Sequence, residues 1–344
     1  MDRLAGRMAL GATGGIIGAA LARRLAEQLT ADDLSGEVAL VTGGSRGFGL
    51  LLARELGRAG CSVAICARDA AELEKARAWL AGEDVDATAE VCDVAHRQPV
   101  EALIGRLTDR LGPIDVLVNN AGIISVGALT TMDHEEFRRA QDVMFWGTLN
   151  PTLAVLPAMR ARRHGRIVNV TSIGGRVSAP HLLPYNSAKF AAVGLSEGLR
   201  AELGRDGIHV TTVVPWLMRT GSYVRAVYRD PAETEFAWFS LGASLPLVST
   251  DAERAARQVI GAVRRRSAVC AIGFPAAAAT AFHGLFPGLT ADILGFVNRF
   301  LPAPGGPRAT DGVEGRTVEP RLRSKLFRAA TALGRRSGER FGER

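Results

Sequence analysis

The stretch Glu37-Val-Ala-Leu-Val-Thr42-Gly43-Gly-Ser-Arg-Gly47-Phe-Gly49 decides the fold of this 344-residue chain. Its apolar first half is typical of a buried strand, and Leu50–Ala59 behind the glycines has the periodicity of a helix. A second apolar run, Ser62–Ala67, follows at the distance that a βαβ unit requires. Glycines at a strand–helix junction let the backbone approach a pyrophosphate, whose charge the helix N-terminus favours. The sequence therefore predicts an α/β fold with a nucleotide-binding loop.

A second signal lies in Tyr185 and Lys189, four residues apart, with Ser172 thirteen residues before the tyrosine. On a helix this spacing places the phenol and the ammonium on one face, one turn apart. A free tyrosine has a pKa near ~10, and a cation beside it favours the phenolate. We therefore expect a lowered pKa for Tyr185, which makes it a usable proton donor and acceptor. A serine at the same point could hold a substrate oxygen against the phenol.

Five motifs follow one another along the chain: Thr42-Gly43-Gly-Ser-Arg-Gly47-Phe-Gly49, Cys92-Asp93-Val94, Asn119-Asn-Ala-Gly122, Ser172 and Tyr185-Asn-Ser-Ala-Lys189. Each is weak alone, but together and in this order they are specific. Over about residues 36–272 the chain resembles the short-chain dehydrogenase/reductase family. The resemblance implies a Rossmann-like doubly wound parallel sheet with helices on both faces. It also implies hydride transfer between a nicotinamide and a carbonyl or an alcohol.

The same resemblance implies roles for single residues. Tyr185 becomes the acid/base, Lys189 the ribose ligand and modifier of the tyrosine pKa, and Ser172 the holder of the carbonyl oxygen. Asp93 is expected to meet the adenine amine, and Asn119 to support the sheet beside the cofactor. The full set of expected cofactor contacts is Gly43, Ser45, Arg46, Gly47, Phe48, Gly49, Arg68, Asp93, Val94, Asn119, Ala121, Gly122, Tyr185, Lys189, Pro215 and Thr220.

The end of the second strand favours NADP(H) over NAD(H). Proteins that bind NAD usually place an acidic residue there to accept from the ribose 2′-OH, but this chain has the small Ala67. Arg68 follows at once, Arg46 lies inside the glycine loop, and two guanidiniums suit a 2′-phosphate. Two solvated surface arginines remain the alternative, and Asp69 could turn towards the ribose instead.

Two positions depart from the family pattern. Met144 stands where the family often has an asparagine that holds a proton-relay water, and a thioether cannot replace an amide. Either the relay runs through backbone and water in an active enzyme, or the protein is slow or has lost turnover. Trp216 follows Pro215 where the family usually has glycine, and it could form an apolar wall for a substrate. With Tyr223, these two residues are the expected substrate contacts.

The composition limits the partners. The net charge of +7 comes mainly from arginine, with an excess around Arg321–Arg344, but no nucleic-acid-binding module accompanies it. An acidic membrane surface is the better partner for that charge. The four cysteines show no metal-binding spacing, so we expect no metal and inert buried thiols in a reducing compartment.

The N-terminal segment, residues 1–33, predicts an apolar helix. Met8–Ala22 is uncharged and flanked by arginines, and as a helix it spans about 22 Å, less than a ~30 Å hydrocarbon core. It could anchor the protein on a membrane, with the catalytic domain in the cytoplasm, or dock on its own domain or on a partner subunit. The glycines Gly11 to Gly18 imitate a dinucleotide fingerprint, but no strand precedes them, so we exclude a nucleotide site there.

The catalytic domain is expected over residues 34–273, with an aromatic lid at 217–248. Apolar helices at 274–302 could pack on the core, pair subunits or lie in a bilayer interface. Residues 303–344 are expected to form a linker and a basic tail. The linker, rich in Pro, Gly and charge, covers residues 303–320, and the tail after it could form a short amphipathic surface helix.

These features together predict a membrane-associated, NADP(H)-dependent reductase of a lipophilic ketone or aldehyde, as a homodimer or homotetramer. Two alternatives remain open. One is an alcohol dehydrogenase that works in the oxidative direction, and the other is a catalytically weak NADP(H)-binding or scaffold protein.

Overall fold

A computed structural model describes residues 31–246, 248–304, 312–322 and 324–344. The predicted N-terminal helix therefore lies almost wholly outside the described residues, as does the rejected Gly11–Gly18 motif. The central element is a sheet of seven strands, and every neighbouring pair in it is parallel. In chain order the strands are β1 Val38–Thr42, β2 Ser62–Ala67, β3 Ala87–Val91, β4 Val116–Asn119, β5 Gly165–Val170, β6 Ile208–Pro215 and β7 Val269–Ile272.

Helices cover both faces of the sheet, as predicted. Those between residues 34 and 273 are α1 Gly47–Arg58, α2 Ala70–Ala81, α3 Arg97–Leu111, α4 His134–Gln141, α5 Gly147–Arg162, α6 Leu183–Leu203, α7 Ala232–Ser244 and α8 Ala252–Arg264. All five residues of β1 are buried, because apolar side chains of α1 and α8 cover one face and those of α3 and α5 the other.

The strand order places the site. It runs β7-β6-β5-β4-β1-β2-β3, so the chain reverses its direction of winding between β1 and β4. Ligands of such sheets bind at the carboxyl ends of the strands beside this reversal. The glycine loop after β1 and the Asn119–Gly122 turn after β4 meet there, and Ser172 follows β5, the next strand along.

The lid predicted at 217–248 contains one long helix, α7, and an aromatic cluster. Tyr223 and Tyr228 pack edge-on against Phe236, with ring centroids 5.7 and 5.2 Å apart. A buried carboxylate also ties the lid to the segment before α6. Glu235 accepts a hydrogen bond from the Trp238 indole at 2.6 Å and lies 2.6 Å from Nδ1 of His181.

The linker predicted at 303–320 is wrong over the residues that the structure describes there. Val313–Glu314 forms a short strand that pairs with Val227–Tyr228 of the lid, and the helix α11 (Gly315–Val318) follows. Val318 is wholly buried in the aromatic cluster of the lid. The segment is therefore part of the packed structure, because its apolar residues complete the lid.

The basic tail is also placed differently from the prediction. Two helices, α12 (Lys325–Ala330) and α13 (Ala332–Arg340), replace the single surface helix expected. They pack on the lid, where Gly338 lies so close to Gly221 that a Cβ on Gly221 would collide with it. Phe341, only 3% exposed, then enters the main hydrophobic core. The tail is thus held by tertiary contacts.

The apolar helices predicted at 274–302 form a hairpin of α9 (Phe274–Leu285) and α10 (Pro287–Val297). Only Ala276 and Thr290 of these two helices are buried. The hairpin exposes the large apolar side chains Phe274, Phe282, Leu285, Phe286, Leu289, Ile293, Phe296 and Val297, and Phe300 follows it. Within the described ranges, no helix combines the length and the apolar character that crossing a bilayer requires.

Candidate active site

The structure brings Ser172, Tyr185 and Lys189 together. Ser172 lies just beyond β5, while Tyr185 and Lys189 share one face of α6. The Lys189 ammonium lies over the tyrosine ring, 5.8 Å from its centroid. Ser172 hydrogen-bonds the phenol, and its Oγ also accepts from the Gly174 amide at 3.0 Å. The arrangement offers a hydroxyl pair to one substrate oxygen.

The electrostatics of this cluster differ from the expectation. Burial raises the pKa of Tyr185, and the hydrogen bond from Ser172 lowers it only in part. Burial also lowers the pKa of Lys189 to about 8. The ammonium donates to the Val170 carbonyl at 2.8 Å and lies over the tyrosine ring. Tyr185 is therefore a neutral phenol at pH 7.

Two glycines fix the distance between Ser172 and α6. A Cβ on Gly175 would stand 2.6 Å from the Lys189 carbonyl oxygen, and one on Gly174 would stand 2.6 Å from Oδ1 of Asn186. Larger residues would therefore push the turn after Ser172 away from α6. Sequence analysis did not single out these glycines, although their position directly behind the Ser172 motif was a usable signal.

Met144 lies in a single turn of π-helix, Asp142–Trp146, between α4 and α5. Such turns often occur at functional sites. The side chain is 1% exposed and packs in a small apolar cluster with Ala188 and Tyr185. Its thioether therefore packs beside Tyr185 and offers no strong hydrogen-bond acceptor to a relay.

A buried polar network supports the carboxyl ends of the central strands. Asn119 donates from Nδ2 to Asn169 at 2.9 Å, and Asn169 in turn donates to Ser196 at 2.9 Å. The neighbouring Asn120 donates to the carbonyl oxygens of Thr42 and Gly43, both at 3.1 Å. Asn120, which sequence analysis did not single out, is thus the residue that ties this turn to the glycine loop.

The glycine loop has the shape that a phosphate group needs. Gly43 and Gly47 have φ values of +63° and +56°, which favour glycine. A Cβ on Gly43 would stand 2.9 Å from Cα of Ala121, and one on Gly49 would collide with the Gly43 carbonyl. The loop leads into the N-terminus of α1, and the amides of a helix N-terminus attract anions. Its donor groups therefore fit the diphosphate of a dinucleotide.

The phosphate donors of this loop are engaged by the far end of the chain. We refer to residues 341–344 as the C-terminal strap. The Gly47 amide donates to the Phe341 carbonyl at 2.8 Å, and Arg46 Nε lies 3.2 Å from a Glu343 carboxylate oxygen. Arg46 also pairs with Glu72 of α2. Sequence analysis missed both acidic partners, because neither belongs to a local motif.

The residues considered for the adenosine part of the cofactor differ in how far they are engaged by the protein itself. Arg68 is exposed and makes no ion pair with any residue that the structure describes. Asp69 caps α2, because its carboxylate accepts a hydrogen bond from the Glu72 amide at 2.9 Å. The carboxylate that could have turned towards the ribose is therefore engaged by the helix. Asp93 accepts from the Ala95 amide at 3.0 Å, and Val94 beside it is buried.

The remaining predicted contacts lie on β6 and in the lid. Pro215 ends β6, and the Trp216 amide donates to the Ile272 carbonyl at 3.1 Å. Thr220 is buried, and its Oγ1 accepts from the Ser222 amide at 3.2 Å. Tyr223 is 1% exposed inside the aromatic cluster of the lid, which is separate from the cluster around Tyr185. This placement makes it a lid-packing residue.

No cluster of potential metal ligands occurs among the described residues. The cysteines Cys61, Cys66, Cys92 and Cys270 are free and buried, and burial raises the pKa of every one of these thiols. Their reactivity is accordingly low.

Comparison with known proteins agrees with this geometry. A family model for short chain dehydrogenases matches residues 37–227. A Streptomyces coelicolor protein that is named as a ketoacyl reductase is 39% identical over 217 residues, which cover 61% of this chain and 83% of that protein.

Solved structures show the same likeness. A short-chain dehydrogenase from Streptomyces avermitilis superposes with a TM-score of 0.65 at 29% identity, over 76% of this chain and 97% of its own. A variant of actinorhodin polyketide ketoreductase with NADPH superposes with a TM-score of 0.61 at 33% identity, over 71% of this chain and 97% of its own. Because the matching family model spans more than half of the chain, the protein belongs to the short-chain dehydrogenase/reductase family and is an oxidoreductase of that family.

Proposed function

We propose that the protein reduces the carbonyl group of a lipophilic ketone or aldehyde with NADPH. The observation that carries this proposal is the contact of Tyr185 with both Ser172 and Lys189 at the carboxyl ends of the strands. The names of the similar proteins support the direction of the reaction, since they include a ketoacyl reductase and a polyketide ketoreductase with NADPH.

The chemistry follows from the protonation states at the cluster. When bound, a reduced nicotinamide would supply the hydride that the carbonyl carbon accepts. Ser172 and Tyr185 hold the carbonyl oxygen by hydrogen bonds, and the phenol proton passes to that oxygen as negative charge develops on it. A raised pKa keeps Tyr185 protonated before the step, and the Lys189 cation stabilises the phenolate that remains. With a pKa of about 8, Lys189 is mostly charged at pH 7.

The preference for NADPH rests on Arg68 and Arg46. Ala67 leaves space at the end of β2, and the exposed Arg68 beside it has no carboxylate partner within the described residues. Asp69 is engaged as a helix cap, so it does not compete for a ribose hydroxyl. A 2′-phosphate would gain a charge-assisted contact with Arg68 and, once Glu343 has left, a second one with Arg46.

A lipophilic substrate is supported by a cavity of about 380 Å³ beside α6. Leu183, two residues before Tyr185, lines it together with Leu129 and Leu294, and His181 and His283 add polar groups. The α9–α10 hairpin forms one wall of the cavity. A molecule with an apolar body and a few polar groups matches such a lining.

The exposed face of the α9–α10 hairpin supports docking on a membrane surface. Asp292 and Arg299 are the charged residues between Phe274 and Leu301, while large apolar side chains cover the outside. A contiguous apolar surface of this kind marks a protein or membrane contact. A lipid surface would then be next to the wall of the substrate cavity.

The direct test is to offer the protein NADPH and a panel of lipophilic ketones and aldehydes, and to measure the consumption of NADPH by absorbance. The Tyr185→Phe variant should lose turnover by about 10²–10⁴-fold and still bind NADPH, because the phenol proton is lost but the cofactor contacts stay. Tyr228→Phe is the matched control, since its hydroxyl donates to the Tyr223 carbonyl inside the lid, away from Tyr185. Turnover by Tyr185→Phe at the rate of the control would contradict the assigned role.

Membrane docking is tested separately by co-sedimentation with vesicles. Phe286→Glu and Phe296→Glu should each reduce the bound fraction, because a carboxylate would have to enter the lipid interface. Leu153→Glu on α5 is the control, since Leu153 is exposed to a similar extent away from the hairpin. Equal binding of all three variants would contradict docking through the hairpin.

A further inference from the structure

The C-terminal strap occupies the start of α1. The Phe341 carbonyl accepts the Gly47 amide proton at 2.8 Å, and the Glu343 carboxylate fills the space over Gly47, where even a Cβ would collide with it. The same carboxylate faces Arg46 at 3.2 Å. The strap therefore presents a carbonyl and a carboxylate to one backbone amide and one guanidinium.

Several contacts anchor the strap in this position. The Phe341 side chain is 3% exposed and belongs to the main core cluster, together with residues of α1. Arg225 of the lid donates from Nε to the Glu343 carbonyl at 2.8 Å, and the Glu343 amide donates to the Gly338 carbonyl at 2.9 Å. Core packing on one side and lid contacts on the other thus specify a single path for the strap.

The donors that the strap engages are those that bind phosphate. A helix N-terminus with a free amide attracts anions, and a guanidinium beside it binds a phosphate by charge-assisted hydrogen bonds. A diphosphate over Gly47 would need the space that Glu343 fills, so the two anions cannot be bound together.

We propose that the C-terminal strap and the phosphates of a dinucleotide compete for the glycine loop, so that the cofactor binds only after residues 341–344 have left. The inference rests on the proposed function for the identity of the nucleotide. It adds that this chain regulates its own cofactor site by an intramolecular contact, and that the fraction of molecules with a released strap sets the apparent affinity.

The docked strap is built so that it can be released. Glu343 is 6% exposed, and its Oε2 has an ion-pair contact with Arg46 Nε at 3.2 Å that lacks the alignment of a hydrogen bond. Burial raises the pKa of Glu343 to about 7, and the nearby Arg46 and Arg225 only partly oppose this. Burying a charged carboxylate with an unsatisfied oxygen opposes docking, so an anion with more acceptors can displace it.

The first experiment compares NADPH binding, by calorimetry, to the full chain and to a chain that ends at Arg340. Removal of the strap should tighten NADPH binding by about tenfold or more, because the truncated chain no longer has a competing anion. The exchange rate of the Gly47 amide hydrogen, measured without nucleotide, should rise in the truncated chain because its acceptor is gone. Unchanged affinity and unchanged exchange would overturn the proposal.

A point variant keeps the test valid if loss of Phe341 from the core unfolds the truncated chain. Glu343→Lys retains Phe341 but places a cation against Arg46 and Arg225, so it should also tighten NADPH binding by about tenfold or more. Glu339→Lys is the matched control, because Glu339 is exposed on the same tail and the net charge changes equally. Equal affinities of the two variants would overturn the proposal.

Hydrogen exchange in the full chain gives a readout that is independent of activity. NADPH should speed exchange of the Phe341 and Glu343 amides, which bond Ser337 and Gly338 in the docked strap. Tight NADPH binding without this change would overturn the proposed competition by the strap but would leave the proposal that NADPH is the cofactor standing. Absence of NADPH binding in every variant, the truncated chain included, would overturn both.

Discussion

Glu343 gives the strap a pH dependence whose size can be worked out. The carboxyl has a pKa of about 7 when docked, against an ordinary value of 4.5. Because the docked state holds the proton more tightly, docking is strongest below about 4.5 and weakens as the pH rises to about 7. The interval corresponds to about 3 kcal/mol at ~1.4 kcal/mol per pH unit. The apparent affinity for NADPH should therefore rise by a factor of roughly 70 between pH 5 and pH 8, as long as most molecules are docked.

The charged groups around Glu343 do not cancel this trend. Those that face it or line the adjoining cavity are Arg46, Glu72, Arg225, Arg316, Glu319 and Arg344. Arginines keep their charge throughout the range from pH 5 to pH 8. The 2′-phosphate of NADPH titrates near ~6, but it does so equally for every protein variant. A comparison of variants therefore isolates the carboxyl of Glu343.

The assay is NADPH titration of the natural chain, Glu343→Gln and the control Glu339→Gln at several pH values from 5 to 8. Glutamine imitates the protonated carboxyl, so Glu343→Gln should keep its strap docked at every pH. Its affinity should match the natural chain near pH 5 and fall below it by tens of fold at pH 8, a loss of about 2 kcal/mol. Parallel pH profiles for Glu343→Gln and Glu339→Gln would refute the reasoning.

Three further outcomes are expected. Lys189→Met should lower kcat by about 10²–10⁴-fold. The rate of the unchanged enzyme should fall above pH 8, because Lys189, with a pKa of about 8, loses its charge there, and this fall should be absent from the pH profile of the variant. In titrations, Arg68→Ala should weaken the binding of NADPH by about 1.5–3 kcal/mol and leave the binding of NADH unchanged. Arg110→Ala on α3 is the control and should affect the binding of neither nucleotide. Phe236→Ala should lower the free energy of unfolding in urea by about 3–5 kcal/mol, because Phe236 is wholly buried; Phe282→Ala on the exposed hairpin should cost far less.

The catalytic core was predictable because its signals are local. The four-residue spacing of Tyr185 and Lys189 determines their common face on α6, and the apolar run Ser62–Ala67 matches β2 to the residue. The start of α8 is local as well: the helix begins at Ala252, and the Asp251 carboxylate before it accepts the capping hydrogen bond from the Arg254 amide.

The tail and the electrostatics were not predictable, because they depend on contacts between distant parts of the chain. Basic composition indicated a surface helix, yet Gly334 and Gly338 let α13 approach the lid closely, and no periodicity encodes that partner. The pKa of Tyr185 was expected to fall because Lys189 is near in sequence. Burial, which appears only once the sheet and α6 have assembled, has the opposite effect and is larger.

The carboxylate of Glu235 has a thermodynamic consequence for substrate capture. It is wholly buried and joins α7 to His181, so contacts within the chain hold the lid in place. A lid that must fold over its ligand consumes conformational entropy at the moment of binding, typically about 2–5 kcal/mol. Here most of that cost is met during folding of the polypeptide. Substrate binding should accordingly show a small entropic penalty and a heat-capacity change that reflects only the apolar surface of the ligand and its cavity.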